Sequence, residues 1–209
     1  MHKSDDLNRV LLFAMQSSGA TAVTWLMSQR PGRQRLKTAL DIPLGQVPKL
    51  NRYEHLLAKG TCPPSKAHRY LQSLRFATRA QEVMLVLRHP VEVVNAIKRK
   101  RIGHKMKEKL SQFDEVVKNT HFRRIFYEDA VEDPAAFRMS IAPWELRADA
   151  WNLPKPIDRV SKADLHPGWG GIRGGKLKRT RHRENADPED WMVAWRHAPY
   201  LMAIYEQGD

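Results

Sequence analysis

Three short apolar runs, each followed by a turn and a helical segment, constrain the fold of this chain most. They lie at 9–15, 82–87 and 124–127. Parallel neighbouring strands need a connection of about a dozen residues or more, and that connection is usually a helix. The pattern therefore predicts an α/β fold, with an open parallel β-sheet flanked by helices.

Aspartate followed by proline marks two further helix starts, at Asp133 and Asp187. This pair is typical of an N-cap and the first helical position. Such signals, together with apolar spacing, predict helices at 20–29, 65–80, 91–101, 134–139 and after Asp187. A short strand is predicted at 46–50. Three apolar residues of the last helix are predicted to contact the core: Trp191, Trp195 and Ile204.

The length of 209 residues fits one domain, which buries roughly 70% of the surface of its unfolded chain. We predict a single domain over 1–209, with a substrate-facing insertion at 143–167 and a basic loop at 168–186. No apolar run approaches the roughly 18 residues of a membrane span. The N-terminus lacks a signal-peptide pattern, and the lone Cys62 has no partner for a disulfide. We expect a cytoplasmic protein.

The formal net charge of +13 is concentrated in two blocks. Residues 98–109 carry seven cations and one acid, and residues 173–183 carry six Lys or Arg and no acid. Blocks of this kind attract polyanions such as nucleic acid, a phosphorylated cofactor or an acidic glycan. A solvated surface is the alternative interpretation of both.

The first apolar run leads into a tight turn of small residues, 17–22, and then directly into a helix. A helix N-terminus directs unpaired N–H groups and the positive end of its dipole at one point, where an anion binds. Gly19 lets the backbone approach that anion, and the hydroxyls of Ser17, Ser18, Thr21 and Thr24 can donate to it. A plain strand–helix connection is the alternative. The GxxxxGK[ST] and GxGxxG loops do not occur, which disfavours nucleoside triphosphatases and Rossmann dinucleotide enzymes.

Several ordered segments make the chain resemble the sulfotransferases that use 3′-phosphoadenosine 5′-phosphosulfate (PAPS). They are SSGATAVTWL at 17–26, LVLRHPVEVVNAIKR at 85–99, FYEDAVEDP at 126–134 and, more loosely, the basic glycine-containing stretch at 171–183. The resemblance implies a P-loop-like three-layer sandwich. It also implies that PAPS is the co-substrate and that no metal is needed.

Matched position by position, the resemblance implies two sets of residues that bind the nucleotide. The first, around the 5′-phosphosulfate, consists of Ser17, Ser18, Gly19, Ala20 and Thr21. The second, around the 3′-phosphate and adenine, consists of Arg88, Asn95, Arg173, Gly174, Gly175 and Lys176. Trp169 is predicted either to stack on the adenine or on a sugar, or to be a core residue.

The chain departs from the family pattern at two positions. The family places Lys or Arg directly before Ser-Gly, where this chain has Ser17, and a serine eight residues beyond the arginine, where it has Ala96. Asn95 is the predicted replacement for that serine. The missing cation costs charge stabilisation in the transfer. Lys49 or Arg52 is the predicted replacement, and weak or absent activity is the alternative.

An acceptor hydroxyl needs a base to take its proton. The resemblance implies a His or Glu base near the end of the second strand or just after the first helix, and the segment PKLNRYEHLL at 48–57 lies in that interval. Glu54 or His55 is therefore the predicted catalytic base, with His68 and Glu92 as more distant alternatives. Glu128 and Asp129 are predicted to cap a turn or pair with an arginine. No HExxH or CxxC spacing occurs, so no metal site is predicted.

The expected function is transfer of a sulfuryl group from PAPS to a hydroxyl or amine of a glycan, lipid or small metabolite. A basic nucleic-acid-binding protein is the first alternative. A degenerate P-loop kinase-like phosphotransferase is the second, and the missing loop lysine disfavours it. The acceptor and the oligomeric state stay open.

Overall fold

The computed structural model describes residues 7–31, 36–41, 44–148, 150–152, 172–173, 176–177 and 186–207. Its centre is a five-stranded, all-parallel sheet in the order β2-β3-β1-β4-β5. The strands are β1 (Arg9–Ala14), β2 (Leu36–Leu40), β3 (His55–Thr61), β4 (Glu82–Leu87) and β5 (Arg123–Phe126). The predicted α/β class with an open parallel sheet is confirmed.

Helices cover both faces of this sheet. They are α1 (Ala20–Met27), α2 (Ala67–Thr78), α3 (Pro90–Lys100), α4 (Met106–Lys118), α5 (Tyr127–Glu132), α6 (Pro134–Ile141), α7 (Pro188–His197) and α8 (Pro199–Glu206). Two 3-10 helices lie at Leu44–Leu50 and Ala150–Asn152, and a small antiparallel pair joins β6 (Ile172–Arg173) to β7 (Lys176–Leu177). The arrangement is a three-layer sandwich.

Strand β1 is buried on both faces, which is why it reads as a continuous apolar run. Its side chains alternate between two cores. Leu11 and Phe13 pack in the core that includes α2, α3 and α4, whereas Val10 and Leu12 pack in the core that includes α1 and α6. The sheet therefore separates α1 from α3.

Both predicted aspartate caps are confirmed. Asp133 accepts hydrogen bonds from the N–H groups of Ala135 and Ala136 at 3.1 and 3.0 Å, and Asp187 accepts one from Asp190 at 2.9 Å. Each such cap stabilises its helix by about 1 kcal/mol. The single last helix predicted from the sequence is instead two, because Pro199 begins α8.

Several expectations about the core and the irregular segments need correction. Trp191 and Ile204 pack against buried residues as predicted, but Trp195 is 42% exposed. The predicted strand at 46–50 is a 3-10 helix, because Pro48 has no N–H for a strand ladder. Trp144, at the start of the predicted substrate-facing insertion, is buried and donates from Nε1 to the Met27 carbonyl at 2.9 Å.

The rest of the predicted insertion and most of the basic loop at 168–186 lie outside the described residues. Within the described ranges, no helix is both long and apolar enough to cross a membrane.

Candidate functional site

The carboxyl ends of β1 and β4 lie side by side and define the candidate site. After β1 the chain enters α1 on one face of the sheet, and after β4 it enters α3 on the other face. Connections that diverge to opposite faces open a crevice at the sheet edge, and open α/β folds bind their ligands in such a crevice.

The turn after β1 is held in a shape that only a few residues adopt. Gly19 has φ +80°, and a Cβ there would lie 2.3 Å from ring carbons of Tyr127. Ser17 is also left-handed, with φ 65°. The carbonyl of Gly19 accepts hydrogen bonds from the first turn of α1. The site therefore requires glycine at position 19.

Donor groups in this turn have no acceptor within the described part of the chain. They are the N–H groups of Gly19, Ala20 and Thr21 and the hydroxyl of Ser18. Ser18 is only 1% exposed, and a buried polar group without a partner costs about 1–3 kcal/mol. Because α1 begins here, its dipole also favours negative charge. The turn has the donors and the field of an anion site.

Arg88, the first residue after β4, lies against this turn. Its Nη1 donates to the Ser17 carbonyl at 3.1 Å, and Nε and Nη2 donate to Oε2 of Glu92 at 3.1 and 2.8 Å. The guanidinium also lies 5.0 Å from the ring centroid of Tyr127. Arg88 is thus buried, oriented on three sides and adjacent to the donors of the turn.

Two lysines from the basic block at 98–109 also reach the turn. Lys100 Nζ lies 3.5 Å from Ser17 Oγ, and Lys109 Nζ donates to Gln16 Oε1 at 2.8 Å. Partial burial lowers the pKa of Lys100, and the charge of Arg88 lowers it further. These cations lie beside position 17, where the family pattern has a cation and this chain has none. The basic block at 98–109 is visible in the sequence, but the approach of these two lysines to the turn is not.

The replacement cations predicted from the sequence lie elsewhere. Lys49 lies in the last turn of the 3-10 helix Leu44–Leu50 and Arg52 follows that helix, so both precede β3. Arg52 donates to the hydroxyl of the neighbouring Tyr53 at 2.9 Å. Since the strands are parallel, residues before β3 lie at the amino edge of the sheet, opposite the turn.

The same geometry corrects the predicted catalytic base. His55 is the first residue of β3 and Glu54 precedes it, while Leu56 pairs with Arg9 at the beginning of β1. Six strand residues span about 20 Å. Glu54 and His55 are separated from the turn by the length of the sheet, and neither can act on a group bound there.

Of the residues expected to bind the 3′-phosphate and adenine, only Arg88 is shown at the turn. Asn95 Nδ2 donates to Asp190 Oδ2 at 3.0 Å and so joins α3 to α7. Arg173 lies opposite Lys176 in the backbone register of the antiparallel pair β6–β7. Gly174, Gly175 and Trp169 lie outside the described residues.

Glu128 stabilises the corner after β4, which carries Arg88, by accepting two hydrogen bonds. Its Oε1 accepts from the N–H of His89 and its Oε2 accepts from the Tyr205 hydroxyl, both at 3.1 Å. Burial raises the pKa of Glu128. The His89 ring also packs against Trp191 and Tyr205. Glu128 belongs to the FYEDAVEDP segment that the sequence singled out. It accepts a hydrogen bond from a backbone N–H, in keeping with the predicted capping role.

Comparison with known proteins assigns no family to this geometry. No protein-family model and no curated protein sequence matches the chain.

The features that bear on function are the turn after β1 and the groups around it. Among the residues that the structure describes, no cluster of three or more His, Cys, Asp or Glu side chains is arranged to hold a metal ion. The turn and the side chains that reach it, Arg88, Lys100 and Lys109, present hydrogen-bond donors and cations.

Proposed function

We propose that the chain binds PAPS at the carboxyl edge of the sheet and transfers its sulfuryl group to a hydroxyl or amine. The observation that carries the proposal is the Ser17–Thr21 turn. Its backbone N–H groups at 19–21 and the buried Ser18 hydroxyl lack an acceptor among the described residues, and Arg88 lies beside it. The resemblance of the surrounding segments to PAPS-dependent sulfotransferases supports it.

The residues at the turn fit the 5′ end of this nucleotide. Three amides and one hydroxyl can donate to the oxygens of one phosphate or sulfate group, and the absence of a Cβ at Gly19 leaves the backbone open to close approach. Ser18 supplies a buried donor that lacks an acceptor within the described chain. A bound anion would satisfy that donor.

The position of Arg88 fits a nucleotide with two phosphate branches. The 5′ and 3′ phosphates of PAPS are attached to one ribose, so a site for both needs a cation close to the turn. Arg88 is held there by Ser17, Glu92 and Tyr127. An oriented guanidinium loses little freedom when it binds a phosphate.

Bound PAPS would supply a sulfuryl group on an activated linkage to phosphate. Transfer of such a group depends on positioning and on stabilisation of negative charge, more than on covalent participation by the protein. The turn orients the anion through fixed N–H groups, and Arg88 places positive charge beside it. These two contributions are the ones that the described residues make.

Thermal melting with matched nucleotides tests the proposal. Saturating 3′-phosphoadenosine 5′-phosphate (PAP) should raise the melting temperature by several degrees, as expected for a ligand at about 100 times its Kd. Adenosine 5′-phosphate, which lacks the 3′-phosphate, should have a much smaller effect. Equal shifts with both nucleotides, or a larger shift with ATP, would exclude PAPS as the preferred co-substrate.

Nucleic-acid binding is the second candidate, and the exposed cations next to the turn favour it. Arg101 and Lys105 are both exposed on the surface that continues from Lys100 and Lys109. Binding through phosphates alone weakens steeply with salt. Binding of a DNA duplex that is tight at about 50 mM salt and weaker by roughly a thousandfold at about 200 mM salt, without any response to PAP, would favour this function over sulfuryl transfer.

A further inference from the structure

Two lysines that are nine residues apart in sequence converge on the residues preceding Ser18. Lys100 is the last residue of α3 and Lys109 lies in the first turns of α4, and the segment between them reverses the chain. Their ammonium groups reach Ser17 and Gln16 at 3.5 and 2.8 Å. We call Lys100 and Lys109 the lysine pair.

The contacts of the lysine pair leave its charge uncompensated. Both acceptors, a hydroxyl and an amide oxygen, are neutral. Across the ranges that the structure describes, no carboxylate forms an ion pair with either ammonium group. By contrast, Lys98 in the same block contacts three carboxylates, Asp187, Glu189 and Asp190.

The balance of charge around the turn points to an anionic ligand. Arg88 is paired with the Glu92 carboxylate and Glu128 lies behind the same corner, so the two lysines bring the positive charge that faces the turn without a carboxylate partner among the described residues. Cations held together repel one another unless an anion lies between them. The lowered pKa of Lys100 is consistent with that repulsion, although burial is its larger cause.

Resting on the proposed function, we propose that the lysine pair binds the phosphate that leaves when the sulfuryl group is transferred. The acceptor oxygen forms a bond to sulfur. The bond between sulfur and the bridging oxygen breaks, its electron pair stays on the phosphate oxygen, and the acceptor proton passes to water. The phosphate gains one negative charge in this step, and cations fixed beside it stabilise that charge. The lysine pair thus performs, from α3 and α4, the task of a cation at position 17.

The variants Lys100→Gln and Lys109→Gln, singly and combined, test this role. The control is Lys107→Gln, which removes the same charge from an exposed position on α4. Each single change should weaken PAP binding in calorimetry by roughly tenfold, as for the loss of a charged hydrogen bond. The double variant should lower kcat for sulfuryl transfer by roughly a hundredfold or more. Lys107→Gln should leave both close to the wild-type values.

A restored cation gives a sharper test. Ser17→Lys, introduced into the double variant, should recover a large part of both PAP affinity and kcat, which a merely structural role of the lysines would not allow. If the wild type binds PAP and the double variant matches Lys107→Gln in Kd and kcat, the inference is wrong and the proposed function stands. If the wild type binds no PAP, both are wrong.

Discussion

Arg88 donates a hydrogen bond from Nη1 to the carbonyl oxygen of Ser17, 71 residues earlier in the chain, at 3.1 Å. This contact joins the corner after β4 to the turn after β1. It fixes the two parts of the proposed nucleotide site relative to each other, so changes on either side should affect both stability and ligand binding.

Gly19→Ala should destabilise the protein by about 1–3 kcal/mol. The new Cβ would lie 2.3 Å from the Tyr127 ring, and the backbone is left-handed there. Gly45→Ala is the matched control, since nothing lies within 4 Å of a Cβ at that position. Urea unfolding measures both. Equal free energies of unfolding for the two variants would show that the turn relaxes at no cost.

Ser18→Ala should separate stability from binding. Because the hydroxyl of Ser18 is buried without a partner among the described residues, its removal should leave the ligand-free stability unchanged or increase it by up to about 1 kcal/mol. PAP affinity should fall by about tenfold, as for one lost hydrogen bond. The measurements are urea unfolding and calorimetric titration.

Ser28→Ala is the control for that variant, because the buried hydroxyl of Ser28 donates to the Trp25 carbonyl at 2.6 Å. It should cost about 1 kcal/mol of stability and leave PAP affinity unchanged. Should Ser18→Ala behave like Ser28→Ala in both measurements, the Ser18 hydroxyl has no role in binding.

Arg88→Met should be strongly destabilising, by about 3–5 kcal/mol, because it leaves the Glu92 carboxylate buried without its partner. Arg88→Met combined with Glu92→Leu should recover most of that stability, since an apolar pair can replace a buried ion pair. The double variant should still fail to bind PAP in calorimetry. PAP binding by a well-folded double variant would mean that the guanidinium serves only the fold.

Glu128 should make the protein less stable as pH rises. Burial raises its pKa in the folded state above the ordinary 4.5, so between these two values the folded state holds a proton that the unfolded state has lost. Stability attributed to this group is therefore present at low pH and decreases as pH rises through that window.

Glu128→Gln should remove this part of the pH dependence, and thermal melting from pH 4 to pH 8 measures it. Glu206→Gln, at an exposed position in the last helix, is the control for the change in charge. If the melting temperatures of wild type and Glu128→Gln change with pH in the same way, the carboxyl group has the same pKa in the folded and unfolded chains.

The elements that the sequence predicted well are those with a strong local signal. Strands β1 and β4 are apolar after their first residues, Arg9 and Glu82, because both faces are buried there. The helix starts at Asp133 and Asp187 follow from capping chemistry. Helix α4 was missed although Leu110, Phe113 and Val117 carry the spacing of a buried helical face. Its many lysines led to an interpretation based on charge alone.

The candidate site was only partly predictable, for reasons of topology. The turn and Arg88 follow strands that the sequence identifies, so their meeting at one sheet edge could be foreseen. Glu54 and His55 were misplaced because the start of β3 was not recognised, and a residue that begins a strand lies at the amino edge. The approach of Lys100 and Lys109 depends on the chain reversal between α3 and α4, which no local pattern reveals.

The crystal structure of the protein with bound PAP tests the central claim most directly. The account predicts that the 5′-phosphate accepts hydrogen bonds from the N–H groups of Gly19, Ala20 and Thr21 and from the Ser18 hydroxyl, with Arg88 on the 3′-phosphate. A nucleotide bound elsewhere on the chain, with the Ser18 hydroxyl still lacking an acceptor, would contradict it.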